Sequence, residues 1–163
     1  LEERVQRLED YEAIRRTWCD YLFNLDAGNW EPFGEVFTED ATVEIIGISE
    51  ERDGIFKGRT AIVDWYSSLL GVTPRPGTEW VNGAHHGNSM KIELDGDEAT
   101  TFAYYFVPGV NSSFGTYQHR MRRTADGWRM AYLRVVIRYH LNLQGGASGV
   151  MKTVRDVLAL PPV

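Results

Sequence analysis

The feature that most constrains this sequence is its change of habit at Thr78: from there to about His140 it reads as a meander of long antiparallel strands. Thr78 to Leu94 predicts the first strand, closed by the turn Asp95-Gly96-Asp97, and Ala99 to Val110 the second. A loop around Gly109 and Asn111 to Ser113 follows. Thr116 to Arg123 and Gly127 to Leu141 then predict a hairpin about Thr124-Ala125-Asp126-Gly127. Long strands of mixed polarity fit poorly in a flat sheet with a single core face. They make sense if the sheet is strongly curved and its concave face lines a pocket.

The first half supplies what such a sheet curls around. Leu1, Val5, Leu8, Tyr11, Ile14, Trp18, Leu22 and Leu25 recur at three- and four-residue steps, which predicts a long helix with one buried face. Gly28 is its natural left-handed terminator. Trp30 to Phe37 predicts a short second helix, with Pro32 tolerated in the first turn. Thr38-Glu39-Asp40 reads as a polar turn, Ala41 to Ile48 as a strand and Glu50 to Gly54 as a charged loop. Thr60 caps a third helix running through Ile62, Trp65 and Leu69 to Gly71, and Pro74-Arg75-Pro76-Gly77 forces a bend. After Gly145-Gly146, a last helix is expected from about Val150 to Leu160, ended by Pro161-Pro162. With no internal repeat and no linker, residues 1–163 read as one α+β domain, an antiparallel sheet wrapped around N-terminal helices.

Composition narrows the function. Five Trp and eight Tyr exceed what a core of this size needs, and point to an aromatic-lined cavity or a substantial interface. A net charge of −6 lacks the dense basic footprint that nucleic acid or an anionic membrane demands. The single Cys19 excludes a disulfide scaffold and a paired-cysteine zinc site. No apolar run approaches the ~18 residues of a membrane span, so a soluble cytoplasmic protein is expected.

Two stretches carry the candidate chemistry. Asp26 sits just before Gly28, where the carbonyl end of the first helix already holds partial negative charge, a placement that costs a carboxylate ~0.3–1 kcal/mol unless a cationic or hydrogen-bonding partner repairs it. His85 and His86 lie in the first long strand and point to opposite faces, so only one can reach a given pocket. Parity groups His86 with Met90, Ile92 and Leu94, and His85 with Gly83, Gly87 and Ser89, unless a bulge near Gly87 resets the count. Neighbouring histidines that point apart, with no HxH or HxxxH spacing elsewhere, leave no expected metal site. His119 is expected on the sheet surface or at an interface.

Tyr21, Leu25-Asp26 and Gly28 on the first helix, His85-His86-Gly87 opening a strand, and Arg122-Arg123 through Asp126-Gly127-Trp128 together resemble the SnoaL-like branch of the nuclear transport factor two-like superfamily. The pattern is most similar to bile-acid dehydratase, and more loosely to scytalone dehydratase and hexachlorocyclohexane dehydrochlorinase. That resemblance implies a cone-shaped pocket and a cofactor-independent lyase that eliminates water or HCl from a small apolar cyclic substrate. It places Asp26 and His85 on a catalytic dyad with Tyr21 beside them, makes Arg138, His86 and Trp30 the candidate substrate contacts, and implies a homodimer or homotrimer. Three positions depart from it: Ile45 stands where the bile-acid enzyme has a second tyrosine, Pro108 where it has an aspartate, and Arg138 falls one position out of register. An isomerase or cyclase using the same dyad, a non-catalytic binding protein and an oxygenase-subunit-like protein are the alternatives, because one superfamily hosts all of them.

Overall fold

The computed structural model describes residues 1–70, 84–108 and 111–142. The bend at Pro74-Gly77, the expected strand between Thr78 and Gly83 and the expected helix from Val150 lie outside the described residues. The chain runs α1 (Glu2–Ala27), α2 (Trp30–Glu35), β1 (Phe37–Ile46), β2 (Gly54–Lys57), α3 (Arg59–Leu70), β3 (His86–Asp95), β4 (Glu98–Val107), β5 (Asn111–Thr124) and β6 (Gly127–Asn142). The strands form one sheet in the order β2-β1-β6-β5-β4-β3.

Every neighbouring pair is antiparallel except β1 and β6, which run parallel. The sheet is therefore mixed where an antiparallel one was expected. β3 to β6 follow one another through short connections that favour antiparallel pairing, whereas β1 reaches β6 only after a long excursion of chain that leaves direction free. Thr38-Glu39-Asp40 also differs from expectation, since it lies within β1 instead of forming a turn. The polar triplet falls where the β1–β6 ladder is interrupted, between Phe37 opposite Met130 and Thr42 opposite Tyr132. Asn111 to Ser113, read as loop, begin β5 and pair with Asn142, Leu141 and His140.

Alternation along β4 shows how the sheet is faced. Ala99, Thr101, Ala103, Tyr105 and Val107 are buried, while Thr100, Tyr104 and Phe106 between them are exposed. The buried face packs on Ile14, Trp18, Tyr21 and Leu25 of α1 and on Phe33 of α2. Thr17 fixes the helix to the sheet by donating to the Trp128 carbonyl at 2.9 Å. The buried Asp10 carboxylate accepts both Arg123 guanidinium nitrogens at 2.7 Å and the Trp128 indole N–H at 3.2 Å. Residues 1–9 of α1 are exposed, so the buried stripe expected from Leu1 onward starts only at Asp10.

Candidate active site

The site begins with the end of α1. Gly28 adopts φ 66° and closes the helix, with its N–H donating to the Leu25 carbonyl at 3.2 Å. A residue with a Cβ is strained at that angle, which makes glycine the natural stop. Asp26, two residues earlier, is carried on the last turn where helix carbonyls converge.

The sheet delivers its partner. At Gly87 the backbone of β3 lies against the Trp18 indole and Leu22, so close that an added Cβ would stand 2.2 Å from a ring carbon of Trp18. Glycine at 87 thus lets β3 rest on α1, and His85 just ahead of the strand arrives over the helix end. Asp26 Oδ1 lies 2.5 Å from His85 Nδ1, and Asp26 Oδ2 accepts the His85 backbone N–H at 2.8 Å. Both side chains keep about a fifth of their surface exposed, at 21% each.

A bulge settles the parity question. The β3–β4 register shifts between Asn88 and Lys91, and Ser89 there has φ 54°. Met90, Ile92 and Leu94 pack against the core as expected, yet Gly87 before the bulge also faces α1. His86 is exposed, opposite the exposed Phe106, and so stands on the other side of the strand from the dyad.

The remaining candidates are distributed around this pair. Tyr21 is only 1% exposed and its hydroxyl meets that of Tyr66 at 2.9 Å. Trp30 opens α2, half-buried, with its ring edge-on to Phe33; its indole N–H is buried and has no hydrogen-bond partner among the described residues. Arg138 is exposed and is the extra residue of a bulge, since the β5–β6 ladder passes from Ile137 opposite Gly115 to Tyr139 opposite Phe114. Strand parity therefore does not decide which way Arg138 faces.

Sequence reasoning missed two buried tyrosines that line the interior behind His85. The Tyr105 ring centre lies 6.3 Å from that of His85 and 4.8 Å from Tyr117, and Tyr117 meets Tyr21 edge-on at 5.8 Å. Burial pushes all of these phenols above their ordinary range, Tyr105 to about 12, so they stay protonated donors. Alternation of β4 and β5 was the signal that could have found them, because it sets Tyr105 and Tyr117 on the inner face.

His119 departs from its expected surface position. It is 2% exposed, with Nδ1 2.5 Å from the Thr101 hydroxyl, and burial holds its pKa down to about 3. It faces inward because it lies opposite Leu133, a core residue of β6. Among the described residues, no three His, Cys, Asp or Glu side chains converge as metal ligands, and no helix is long and apolar enough to cross a membrane. Two surface depressions, of about 340 and 490 Å³, contain neither Asp26 nor His85.

Helices packed on one face of a six-stranded mixed sheet give the α+β cone of nuclear transport factor two-like proteins. The chain belongs to the SnoaL-like domain family, whose model matches residues 6–134. Solved structures agree on the fold. A nuclear transport factor two-like protein with a cystatin-like fold from Novosphingobium aromaticivorans is 23% identical, with 92% of each chain covered and a TM-score of 0.67. Hexachlorocyclohexane dehydrochlorinase LinA-type3 from Novosphingobium barchaimii is 21% identical, with 87% of this chain and 95% of that one covered and a TM-score of 0.70. A protein of unknown function from Mycobacterium tuberculosis is 22% identical, covering 94% and 89%, with a TM-score of 0.65. No curated protein matches the sequence.

Proposed function

We propose that this protein is a cofactor-independent lyase of dehydratase type, acting on a small, largely apolar cyclic substrate through the Asp26–His85 dyad. The observation that carries this reading is the contact of Asp26 Oδ1 with His85 Nδ1 at 2.5 Å. A carboxylate on Nδ1 fixes the tautomer that leaves Nε2 as the base and stabilises the imidazolium once it forms. A neutral imidazole is the side chain best matched to removing a proton near pH 7.

In this scheme His85 Nε2 takes a proton from the carbon beside a carbonyl. The C–H electrons form the enolate, whose collapse expels hydroxide from the next carbon. Hydroxide takes the proton back from the imidazolium and departs as water, and the enzyme is restored. Tyr21, whose hydroxyl meets that of Tyr66, would position the substrate, and the buried indole N–H of Trp30, without a hydrogen-bond partner among the described residues, would serve a substrate oxygen that reaches it. Two structures of the same fold are named hexachlorocyclohexane dehydrochlorinases, which supports the class of reaction. Isomerisation shares the first proton transfer and differs only in where the proton returns. Exposed Tyr104, Phe106 and Phe114 on the outer sheet face support a homodimer or homotrimer.

The test is turnover of a panel of β-hydroxy cyclic ketones, from single rings to steroid- and polyketide-like compounds, followed by enone absorbance. Activity on at least one member is expected, and its loss in His85→Gln and Asp26→Asn. Full activity in both variants ends the proposal.

A further inference from the structure

α1 has a second face that the fold does not use. Leu1 is 94% exposed, Phe23 74%, Leu8 68% and Val5 45%, and Cys19 is exposed as well. At about 100° per residue these five and Glu12 fall on one stripe, turned away from the side of the helix that buries Ile14, Trp18 and Leu25. The pattern of the sequence marks Leu1, Val5 and Leu8 as a buried side, yet no described part of the chain covers them. An apolar stripe left bare on a helix is a surface for a partner.

We propose that this stripe pairs with the same stripe of a second copy of the chain, the two α1 helices running antiparallel about Glu12. The stripe is complementary to itself: Leu1 and Phe23 lie eleven residues either side of Glu12, and Val5 and Cys19 seven. A two-fold axis there sets Leu1 on the partner's Phe23 and Val5 on the partner's Cys19. The same axis brings like flanks together. On one flank Glu9 meets the partner's Arg16, its opposite in charge, and on the other Leu8 lies along the stem of the partner's Arg15. Glu12 meets its own copy at the centre, among the Arg15 and Arg16 guanidinium groups of both helices. Glu9, Glu12, Arg15 and Arg16 are exposed and form no ion pair among the described residues, so all four are available to this contact. α1 covers the inner face of the sheet, so this pairing leaves Tyr104, Phe106 and Phe114 on the outer face free.

The native Cys19 supplies the test. Positions 5 and 19 stand about 21 Å apart on one helix, whereas a disulfide needs Cα atoms about 5–6 Å apart, so any bridge between them joins two molecules. Under mild copper-phenanthroline oxidation, Val5→Cys should give a disulfide-linked dimer on non-reducing electrophoresis. Wild type and Val5→Cys/Cys19→Ser should stay single chains, because an axis at Glu12 holds equivalent positions far apart. Linkage of wild type through Cys19, or of the double variant through position 5, overturns the arrangement. So does a Val5→Cys variant that does not link, which would leave the stripe to another occupant. Sedimentation reads the contact without a crosslink. Leu8→Arg sets a cation against the partner's Arg15 and should halve the mass of the wild-type assembly at equal concentration, with circular dichroism confirming that the variant is folded. An unchanged mass overturns the proposal.

Discussion

Asp26 holds His85 with both of its oxygens, one on the imidazole Nδ1 at 2.5 Å and one on the backbone N–H at 2.8 Å. The ring is thereby set in orientation and its main chain in position by a single carboxylate. That double grip separates what different substitutions should do.

Asp26→Asn keeps the shape but replaces the anion, and should lower kcat by roughly 10⁴-fold, as loss of the orienting acid does in other dyads and triads. Asp26→Ala removes both bonds and should also cost about 1–3 kcal/mol of stability, because the His85 N–H loses its acceptor. Steady-state kinetics and urea unfolding distinguish the two. An Ala variant as stable as the Asn variant would mean that the backbone bond contributes nothing.

Gly87→Ala should cost about 1–3 kcal/mol through overpacking against Trp18 and should also impair turnover, since β3 must lift from α1 and carry His85 with it. Trimming the neighbour in Gly87→Ala/Trp18→Leu should recover part of both losses. Urea midpoints and kcat measured for the single and double variants check this; purely additive effects would show that the close approach is not what matters.

His119 makes stability depend on pH. Its folded value of about 3 lies below the ordinary 6.5, so the unfolded chain takes up the proton first. The contribution is complete above pH 6.5 and is lost, at roughly 1.4 kcal/mol per unit, as pH falls toward 3. Urea unfolding between pH 7 and 4 should show that slope in wild type and a flatter one in His119→Gln.

The Asp10–Arg123 pair acts at still lower pH. The Arg123 guanidinium holds the Asp10 carboxyl below its ordinary 3.8, so this contribution is complete above that value and is lost as pH falls through the lowered one. Asp10→Asn should destabilise the protein by about 1–3 kcal/mol near neutral pH, leaving the part-exposed Arg123 guanidinium with only the exposed Asp97 carboxylate, at 2.8 Å, as its anion. Chemical denaturation reads the change directly; a variant within 0.5 kcal/mol of wild type, the ordinary range of surface substitutions at about that size, contradicts it.

Local signals made most of the elements legible in the sequence. Gly28 stops α1 where its conformational freedom predicted, and Asp95-Gly96-Asp97 and Thr124 to Gly127 turn where their residues demand. Asp26 was readable for the same reason, as a carboxylate in an electrostatically poor place. What could not be read were relations set at a distance. Thr38-Glu39-Asp40 has turn chemistry, yet β1 runs through it, with pairing to β6 on either side at Phe37 and Thr42. Met90 and Gly87 share a face only because of the bulge at Ser89, which no local rule fixes. His119 reads from the sequence as a residue of the sheet surface or an interface, whereas its place in the β5–β6 register, opposite Leu133, sends it inward. Tyr105 and Tyr117 are ordinary strand aromatics until curvature brings one beside the imidazole.

The first and last of the side-chain ties on α1 run from Asp10 to the β5–β6 hairpin and from Asp26 to His85, just ahead of β3. Sixteen residues of helix separate the two ties, a rod of about 24 Å whose angular phase advances about 100° per residue. Losing or gaining a single residue between them would swing Asp26 around the helix axis, away from the imidazole, while the far attachment stayed intact. Evolution of this chain can therefore lengthen loops freely, but the spacing between residues 10 and 26 behaves like the teeth of a gear.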